Sequence, residues 1–303
     1  MKAPPRYRAS FYPGDQQPLP PKFSAAVKEL ERVLKADVWM LIQNSSLGGS
    51  WSILGPDVVR AFMIARSQMP KGKPVALLID SPGGYAKSAW QIAMILRTRC
   101  GGFTAVIPRY AKSAATILTC GADTILMGEH AELGPLDAQY FDNDRESVGS
   151  ALDEVQTLER LHAVSLELVD RTMNLLLGSS GKKIETLLPI SMNFIGHLMR
   201  PMLEKIDAVH YTQMSRILKV AEDYAIRLLR AQYSLDEART MARHLVEHYP
   251  EHDFAVDAIE AASFGLRTKE PTDAEQRIFD EMAPFWRQIT AIGRLEEVRG
   301  HGK

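Results

Sequence analysis

A glycine turn that follows an apolar run is the first feature of this chain that could carry chemistry. Residues 77–79 are Leu-Leu-Ile, which is typical of a short buried strand, and Pro82 lies in the turn that follows. Gly83 and Gly84 can adopt backbone angles that a side chain forbids, and they can leave their N–H groups uncovered. Two such donors can stabilise the anion of a tetrahedral intermediate, so the turn is a candidate oxyanion hole.

A serine follows a second strand-like run in the same way. Residues 103–107 are rich in β-formers, Pro108 and Arg109 interrupt them, and Ser113 begins an apolar, helix-like segment. The first turn of a helix favours negative charge, which suits the alkoxide of a nucleophilic serine. The same position also suits an ordinary helix N-cap, so both interpretations of Ser113 stay open at this point.

Several segments together resemble one protein family, the serine dehydrogenase proteinases, which belong with signal peptide peptidase A and the Clp protease in the crotonase-like superfamily. The resemblance is carried by residues 80–84 (DSPGG), 110–116 (YAKSAAT), 121–123 (GAD) and 133–137 (LGPLD), and it resumes at 252–256 and 260–266. It implies an α/β fold with a Clp protease/crotonase-like core of stacked ββα units and a parallel sheet, plus a helical insertion and C-terminal helices. It also implies a serine nucleophile, Ser113.

The resemblance leaves the general base of this serine open. The histidine of the Clp protease would fall near Pro135, where this chain has none, and relatives with Leu-Gly-Pro at this point use a serine–lysine dyad. A lysine can accept the proton only if burial lowers its pKa towards neutrality. Lys219 is the best candidate, because it lies one helical turn before Asp223, where the family helix carries a lysine. A solvated surface charge is the alternative interpretation of Lys219.

Three further residues are alternative bases. Lys205 lies earlier in the same helical segment as Lys219, and Lys87 lies in the helix predicted after the glycine turn. His252 precedes Asp253 in a segment that, by resemblance to the Clp protease, lies close to the acid of its triad. A loop or helix-capping role is the alternative interpretation of the His252-Asp253 pair.

The order of predicted elements explains how the turn and the serine can meet. Strand and helix patterns alternate from residue 38 to residue 127, which indicates parallel βαβ units with functional groups beyond the carboxyl ends of the strands. The expected division of the chain is an extended arm (1–22), the catalytic core (23–140), a helical insertion (141–200), helices completing the core (201–270) and a helical tail with a disordered end (271–303).

Composition excludes several classes of protein. The 303 residues are 46% hydrophobic with a net charge of −1, which suits a globular core and gives no electrostatic footprint for nucleic acid. No run of about 18 apolar residues and no secretory leader pattern occurs, so we expect no membrane span and a cytoplasmic location. Cys100 and Cys120 read as buried thiols, and no metal or other cofactor is expected, since His244 and His248 lack a third ligand.

The sequence therefore predicts a serine-type peptidase that cleaves amide bonds of proteins or peptides. Ser113 is the nucleophile, the N–H groups of Gly83 or Gly84 and of Ala114 form the oxyanion hole, and Lys219 is the base. A homo-oligomer is expected from the superfamily. The alternatives are a catalytically inactive oligomeric scaffold of the same fold and, as a weaker one, a crotonase-like acyl-CoA enzyme.

Overall fold

The computed structural model describes residues 5–12, 17–137, 139–142 and 146–298. The chain divides into two compact units, one formed by Met1–Asp137 with Val220–Lys303 and the other by Ala138–Lys219. The boundary of the second unit at residue 219 falls within a helix, Ala208–Leu229. The insertion expected at 141–200 lies inside this second unit, and the expected five-part division stays a prediction.

The first unit alternates strands and helices, as its sequence pattern indicates. Its N-terminal part contains β1 (Tyr7–Ala9), α1 (Pro21–Leu34), β2 (Val38–Ile42), α2 (Pro56–Ala65), β3 (Val75–Asp80), α3 (Ala86–Cys100), β4 (Phe103–Ile107), β5 (Tyr110–Ala111), α4 (Ala114–Thr119), β6 (Thr124–Met127) and β7 (Glu132–Leu133). The second unit contains β8 (Gln139–Asp142), β9 (Ser147–Ser150), α5 (Ala151–Ser180) and α6 (Ile184–Leu203), and α7 (Ala208–Leu229) begins in it. The chain then returns to the first unit with α8 (Leu235–Glu247), α9 (Ala258–Ser263), β10 (Thr268–Lys269), α10 (Asp273–Met282), β11 (Ala291–Gly293) and β12 (Leu295–Glu297).

A six-stranded, mostly parallel sheet in the order β10-β6-β4-β3-β2-β11 forms the centre of the first unit, and this confirms the predicted α/β fold with a parallel sheet. Only β11 runs antiparallel, against β2. Alternate strand residues serve opposite faces: Met40 and Leu78 join the cluster that holds Phe23 of α1 and Phe279 of α10. The neighbouring Trp39 packs near Phe62 of α2 on the other face, with ring centroids 6.2 Å apart.

The C-terminal segment differs from the helical tail that its pattern predicts. Helix α10 is the expected helix and begins with a capping box formed by Thr272 and Glu275. After α10, β11 pairs with β2, and β12 pairs with β1. Strand β1 lies within residues 1–22, the segment expected to be an extended arm. Strands of three residues are too short to show a period, and their partners lie far away in sequence, so no local pattern indicates these pairings.

The second unit consists of a hairpin and long helices. Strands β8 and β9 pair antiparallel, and α5 packs against α6, where the Ser191 hydroxyl donates to the Met173 sulfur at 3.2 Å. Along α6 the buried residues recur at every fourth position: Leu187, Ser191, Ile195 and Met199. Among the described residues of both units, no helix combines the length and the apolar character that crossing a membrane requires.

Candidate active site

The glycine turn after β3 is closely enclosed by two other segments. Gly83 has φ +97° and Gly84 has φ +147°, a region that residues with a side chain rarely adopt. A methyl group on Gly83 would lie 2.5 Å from the Lys112 carbonyl oxygen and 3.0 Å from Ser113 Cβ, and one on Gly84 would lie 2.5 Å from the Leu54 carbonyl oxygen. Glycine at position 83 therefore allows the turn to lie directly beside Ser113, and glycine at position 84 allows it to lie against Leu54.

The two glycine N–H groups are in different situations. Gly83 donates its N–H to Ser81 Oγ at 3.1 Å, and Ser81 Oγ donates in turn to Gln43 Oε1 at 2.7 Å. The N–H of Gly84 has no acceptor within the part of the chain that the structure describes. The turn is held by Leu54, which donates to the Gly83 carbonyl at 2.7 Å. Of the two predicted donors, this arrangement favours Gly84 for an incoming ligand oxygen.

Ser113 has the backbone geometry of a strained turn. It lies at the N-cap position of α4 with φ 49° and ψ −118°, and its side chain makes no capping hydrogen bond. A non-glycine residue in this region costs free energy of order 1–3 kcal/mol, and such strain is concentrated at functional sites. The following Ala114 N–H has no acceptor among the described residues. The structure thus shows a half-buried serine hydroxyl that does not cap its helix, followed by an open N–H donor.

The loop that carries Ser113 is joined to the glycine turn by backbone pairing beyond the ends of β3 and β4. Ser81 donates its N–H to the Tyr110 carbonyl at 3.2 Å, and Lys112 donates its N–H to the Ser81 carbonyl at 3.0 Å. Because β3 and β4 are neighbouring parallel strands, their carboxyl ends deliver both loops to one edge of the sheet. The expectation that the turn and the serine meet at this edge agrees with these contacts.

Thr116 fixes the start of α4, and sequence reasoning missed it. Its buried hydroxyl is placed to donate to two carbonyl oxygens, that of Ala111 at 2.7 Å and that of Gly134 at 2.9 Å. The same hydroxyl oxygen accepts a hydrogen bond from the Gly134 N–H at 3.1 Å. The Leu133-Gly134-Pro135 segment is thereby held against the turn that carries Ser113. The available signal was a lone hydroxyl residue among the apolar side chains at the start of α4, because a buried hydroxyl requires partners.

Lys112 directly precedes Ser113, and its side chain joins the loop of Ser113 to two other segments, at Glu132 and at Phe254. Its ammonium lies 2.9 Å from Glu132 Oε1 and donates to the Phe254 carbonyl at 3.1 Å, and it lies 3.5 Å from the Asp253 carbonyl. These contacts bring the segment that holds His252 beside the residue preceding Ser113. The Nδ1 atom of His252 is buried and has no partner among the described residues.

The candidate bases lie in different parts of the chain. Lys219 and Lys205 belong to the second unit and are exposed, and Lys87 is exposed in the first turn of α3. His252 lies in the first unit with Ser113. Asp253 does not cap α9, because Asp257 does so through its hydrogen bond to the Glu260 N–H. The identity of the base stays a prediction.

An ion pair at the beginning of both loops is a second feature that the sequence analysis missed. Arg109 binds the carboxylate of Asp80 through Nε at 2.9 Å and Nη2 at 2.8 Å, and the Asp80 side chain is fully buried. Burial raises the pKa of Asp80 to about 6, and the hydrogen bonds and charge of Arg109 act against that rise. The signal in the sequence was an acidic residue, Asp80, and a basic residue, Arg109, each placed at or just after the end of a strand-like run.

His244 of α8 and His248, which directly follows that helix, form an aromatic cluster. The rings of His244 and His248 stack with centroids 4.2 Å apart, and Phe264 stacks on His244 at 4.5 Å. Burial, followed by the charge of His248, lowers the pKa of His244. Within the described ranges, no group of three or more His, Cys, Asp or Glu side chains is placed to hold a metal ion.

Part of this chain is similar to a known protein family. The family model of ClpP-like SDH-type serine proteinases matches residues 55–176. The uncharacterized protein MJ0137 of Methanocaldococcus jannaschii is 25% identical over 240 residues, which cover 79% of this chain and 67% of that protein. The uncharacterized protein MJ1495 of the same organism is 22% identical over 224 residues, which cover 74% of this chain and 60% of that protein. The matched segment contains Gly83, Gly84 and Ser113, and the mostly parallel sheet fits the Clp/crotonase-like fold; over residues 55–176 this chain is similar to the ClpP-like SDH-type serine proteinase family.

Proposed function

We propose that this protein is a serine peptidase that cleaves amide bonds of proteins or peptides, with Ser113 as its nucleophile. The observation that carries the proposal is the joint geometry of two loops. An uncapped serine hydroxyl lies beside a glycine turn, and the N–H groups of Gly84 and Ala114 are both without an acceptor among the described residues. A nucleophile flanked by two open donors is what acyl transfer requires.

The chemical steps follow from these groups. Ser113 Oγ attacks the amide carbonyl carbon while a base takes its proton, and the carbonyl oxygen becomes an oxyanion that accepts hydrogen bonds from Gly84 and Ala114. The protonated base then gives its proton to the departing amine, which leaves an ester on Ser113. Water, activated by the same base, hydrolyses that ester and restores the hydroxyl.

The base in this proposal is a lysine, and Lys219 is the first candidate on the family resemblance alone, since its side chain is exposed in this structure whereas a lysine base requires burial to lower its pKa. Lys205, Lys87 and His252 are its alternatives. Structural support for His252 comes from its buried, unpartnered Nδ1 and from the contact between Lys112 and the Asp253 carbonyl. The ranking is decided by mutation, as argued in the Discussion.

The partners in this proposal are protein or peptide substrates and further copies of the chain, in the cytoplasm. The helices of the second unit expose large apolar side chains: Leu175, Met192 and Phe194 are each more than half exposed. Apolar side chains gathered on an exposed surface are typical of subunit interfaces. We expect Phe194→Ser to lower the mass measured by light scattering, whereas Met63→Ser, which changes an equally exposed residue of α2, leaves the mass unchanged.

Labelling with a fluorophosphonate probe tests the function. The wild-type protein should be labelled at Ser113, located by mass spectrometry of the modified peptide, and Ser113→Ala should not be labelled. The matched control is Ser234→Ala, which changes a serine that does cap its helix, α8, and should be labelled at the wild-type rate. A folded wild-type protein that is never labelled would indicate the inactive scaffold, and acyl-CoA binding measured by calorimetry in that case would indicate a crotonase-like enzyme.

A further inference from the structure

A buried ion pair stands where the two loops of the candidate site begin. Asp80 is the last residue of β3, and Arg109 follows β4 after one intervening residue. The guanidinium makes two parallel hydrogen bonds, of 2.9 and 2.8 Å, to a carboxylate with no exposed surface, while the Arg109 side chain keeps 28% of its surface exposed. Such two-point pairs fix orientation as well as distance.

Each residue of this pair lies just before one of the two loops that form the candidate site. Asp80 leads through Ser81 directly into the glycine turn, and Arg109 leads into the loop of Ser113. The residues immediately after the pair are already joined, because Ser81 donates to the Tyr110 carbonyl at 3.2 Å. A change in the ion pair therefore acts on the register in which the two loops face each other.

We propose that Asp80 and Arg109 are positioning residues that set the distance between the Gly84 N–H and the Ser113 hydroxyl, and that protonation of Asp80 releases this arrangement and slows the site. The inference rests on the proposed function, since it concerns how Ser113 reacts. Neither residue touches the substrate in this account; both act through the backbone of the loops that follow them.

The charges around Asp80 place its titration in an accessible range. Burial raises its pKa to about 6, with Arg109 acting against the rise. Tyr110 lies nearby, and its own pKa is raised by burial first and then by the Asp80 charge; the charges of Arg109 and Arg287 act against this rise, and that of Glu132 adds to it. Glu132 of β7 is itself paired with Lys112 at 2.9 Å. The residue that follows β2, Gln43, has a neutral side chain, and its backbone N–H donates to the Asp80 carbonyl at 2.8 Å.

The sign of the expected effect follows from the pair. Above about pH 6 the Asp80 carboxylate holds both hydrogen bonds of Arg109, and the loops keep their register. Below that pH the neutral carboxyl loses the charge attraction. The reactivity of Ser113 should then fall for two reasons at once, because the general base is also protonated as pH decreases.

The experiment is the rate constant of fluorophosphonate labelling of Ser113 as a function of pH. For the wild-type protein we expect the labelling rate constant to fall with decreasing pH. Below about pH 6 the fall should depend on two protonations, those of Asp80 and of the general base, and above it on protonation of the base alone. In Asp80→Asn the two-proton limb should disappear, and the rate near neutral pH should drop about 10- to 100-fold, the loss typical of a misplaced reacting group. Arg109→Lys keeps the charge without the two-point geometry and should show a comparable drop near neutral pH.

A matched control uses another ion pair of the same unit. Arg97 and Asp123 lie 3.0 Å apart and join α3 to the turn before β6, away from the glycine turn. Asp123→Asn should reproduce the wild-type pH curve and rate. Circular dichroism confirms that each variant is folded, and if Asp80→Asn does not fold, the wild-type curve and Arg109→Lys decide the question.

The outcomes separate this inference from the function on which it rests. Labelling of the wild-type protein with a single-proton curve overturns the inference and leaves the peptidase proposal standing. The same holds if Asp80→Asn keeps the two-proton limb, because another group then causes it. A wild-type protein that is not labelled at any pH overturns the proposed function and the inference with it.

Discussion

Gly83 and Ser113 lie directly beside each other, although 30 positions separate them in the chain. A methyl group on Gly83 would lie 3.0 Å from Ser113 Cβ and 2.9 Å from the Ala114 nitrogen. Both distances are shorter than real Cβ atoms tolerate without movement of a neighbour, and here the neighbours include backbone. The contact therefore places the glycine turn and the serine in one site, and it makes Gly83 a sensitive position for testing it.

We expect Gly83→Ala to destabilise the protein and to remove its reactivity. The methyl group meets backbone atoms in addition to an unfavourable φ, so the cost should exceed the 1–3 kcal/mol of backbone strain alone. The control is Gly49→Ala, because Gly49 also has a positive φ, +84°, but has open space where the methyl group would lie. Urea unfolding measures both, and equal losses of unfolding free energy would show that the contact with Ser113 contributes nothing.

Gly84→Val should remove activity through the open N–H donor as well as through the fold. The φ of Gly84, +147°, is one that a β-branched residue strongly resists, and the side chain would meet Leu54. The measurement is fluorophosphonate labelling of whatever soluble, folded protein is obtained. Full labelling of a folded Gly84→Val protein would show that this turn does not form the oxyanion hole.

Replacing Ser113 should cost almost no stability, unlike replacing a serine that caps its helix. Ser113 makes no capping hydrogen bond, whereas Ser234 caps α8 and forms a capping box with Glu237. We therefore expect Ser113→Ala to keep the wild-type free energy of unfolding and Ser234→Ala to lose about 1 kcal/mol. Chemical denaturation checks the difference, and a comparable loss in both variants contradicts the idea that the Ser113 hydroxyl is held for chemistry.

The base can be identified by four substitutions in one assay. Lys219→Met should reduce turnover strongly with little loss of stability, since methionine keeps most of the apolar stem. Activity of the wild-type protein should rise with pH through the neutral range, because only the neutral amine accepts the serine proton. Lys205→Met, Lys87→Met and His252→Ala are measured beside it. A collapse in one of these three with an unchanged Lys219→Met assigns the base to that residue, and no effect in any of the four contradicts the dyad.

Thr116→Val should loosen the start of α4 while keeping the shape of the side chain. The hydroxyl lies between the carbonyls of Ala111 and Gly134 and accepts the Gly134 N–H, and burial makes its loss cost about 1–3 kcal/mol. Thr119→Val is the control, because its hydroxyl donates to the Thr116 carbonyl within the same helix. We expect slower labelling of Ser113 in Thr116→Val alone, and equal labelling rates in both variants would place Thr116 outside the site's support.

Much of the fold was predictable because its signals are local. The apolar run of β3 followed by two glycines, and the run of β4 followed by Ser113, are strand–turn–helix patterns that neighbouring residues determine. Parallel strands then place both turns at one edge. The pairing of β11 with β2 was not predictable, since three residues carry no period and the partners lie at opposite ends of the chain.

The sequence by itself determined which residue types stand at the carboxyl ends of β3 and β4, because local periodicity and turn chemistry act over a few neighbouring residues. Only the tertiary structure decided which of these groups are open. Ser81 Oγ accepts the hydrogen bond of the Gly83 N–H, whereas the Gly84 N–H has no acceptor among the described residues. Likewise, the pairing of Asp80 with Arg109 depends on two loops meeting in space. Hydrogen bonds depend on distances below about 3.5 Å, and residues far apart in sequence acquire such distances only when the chain has folded.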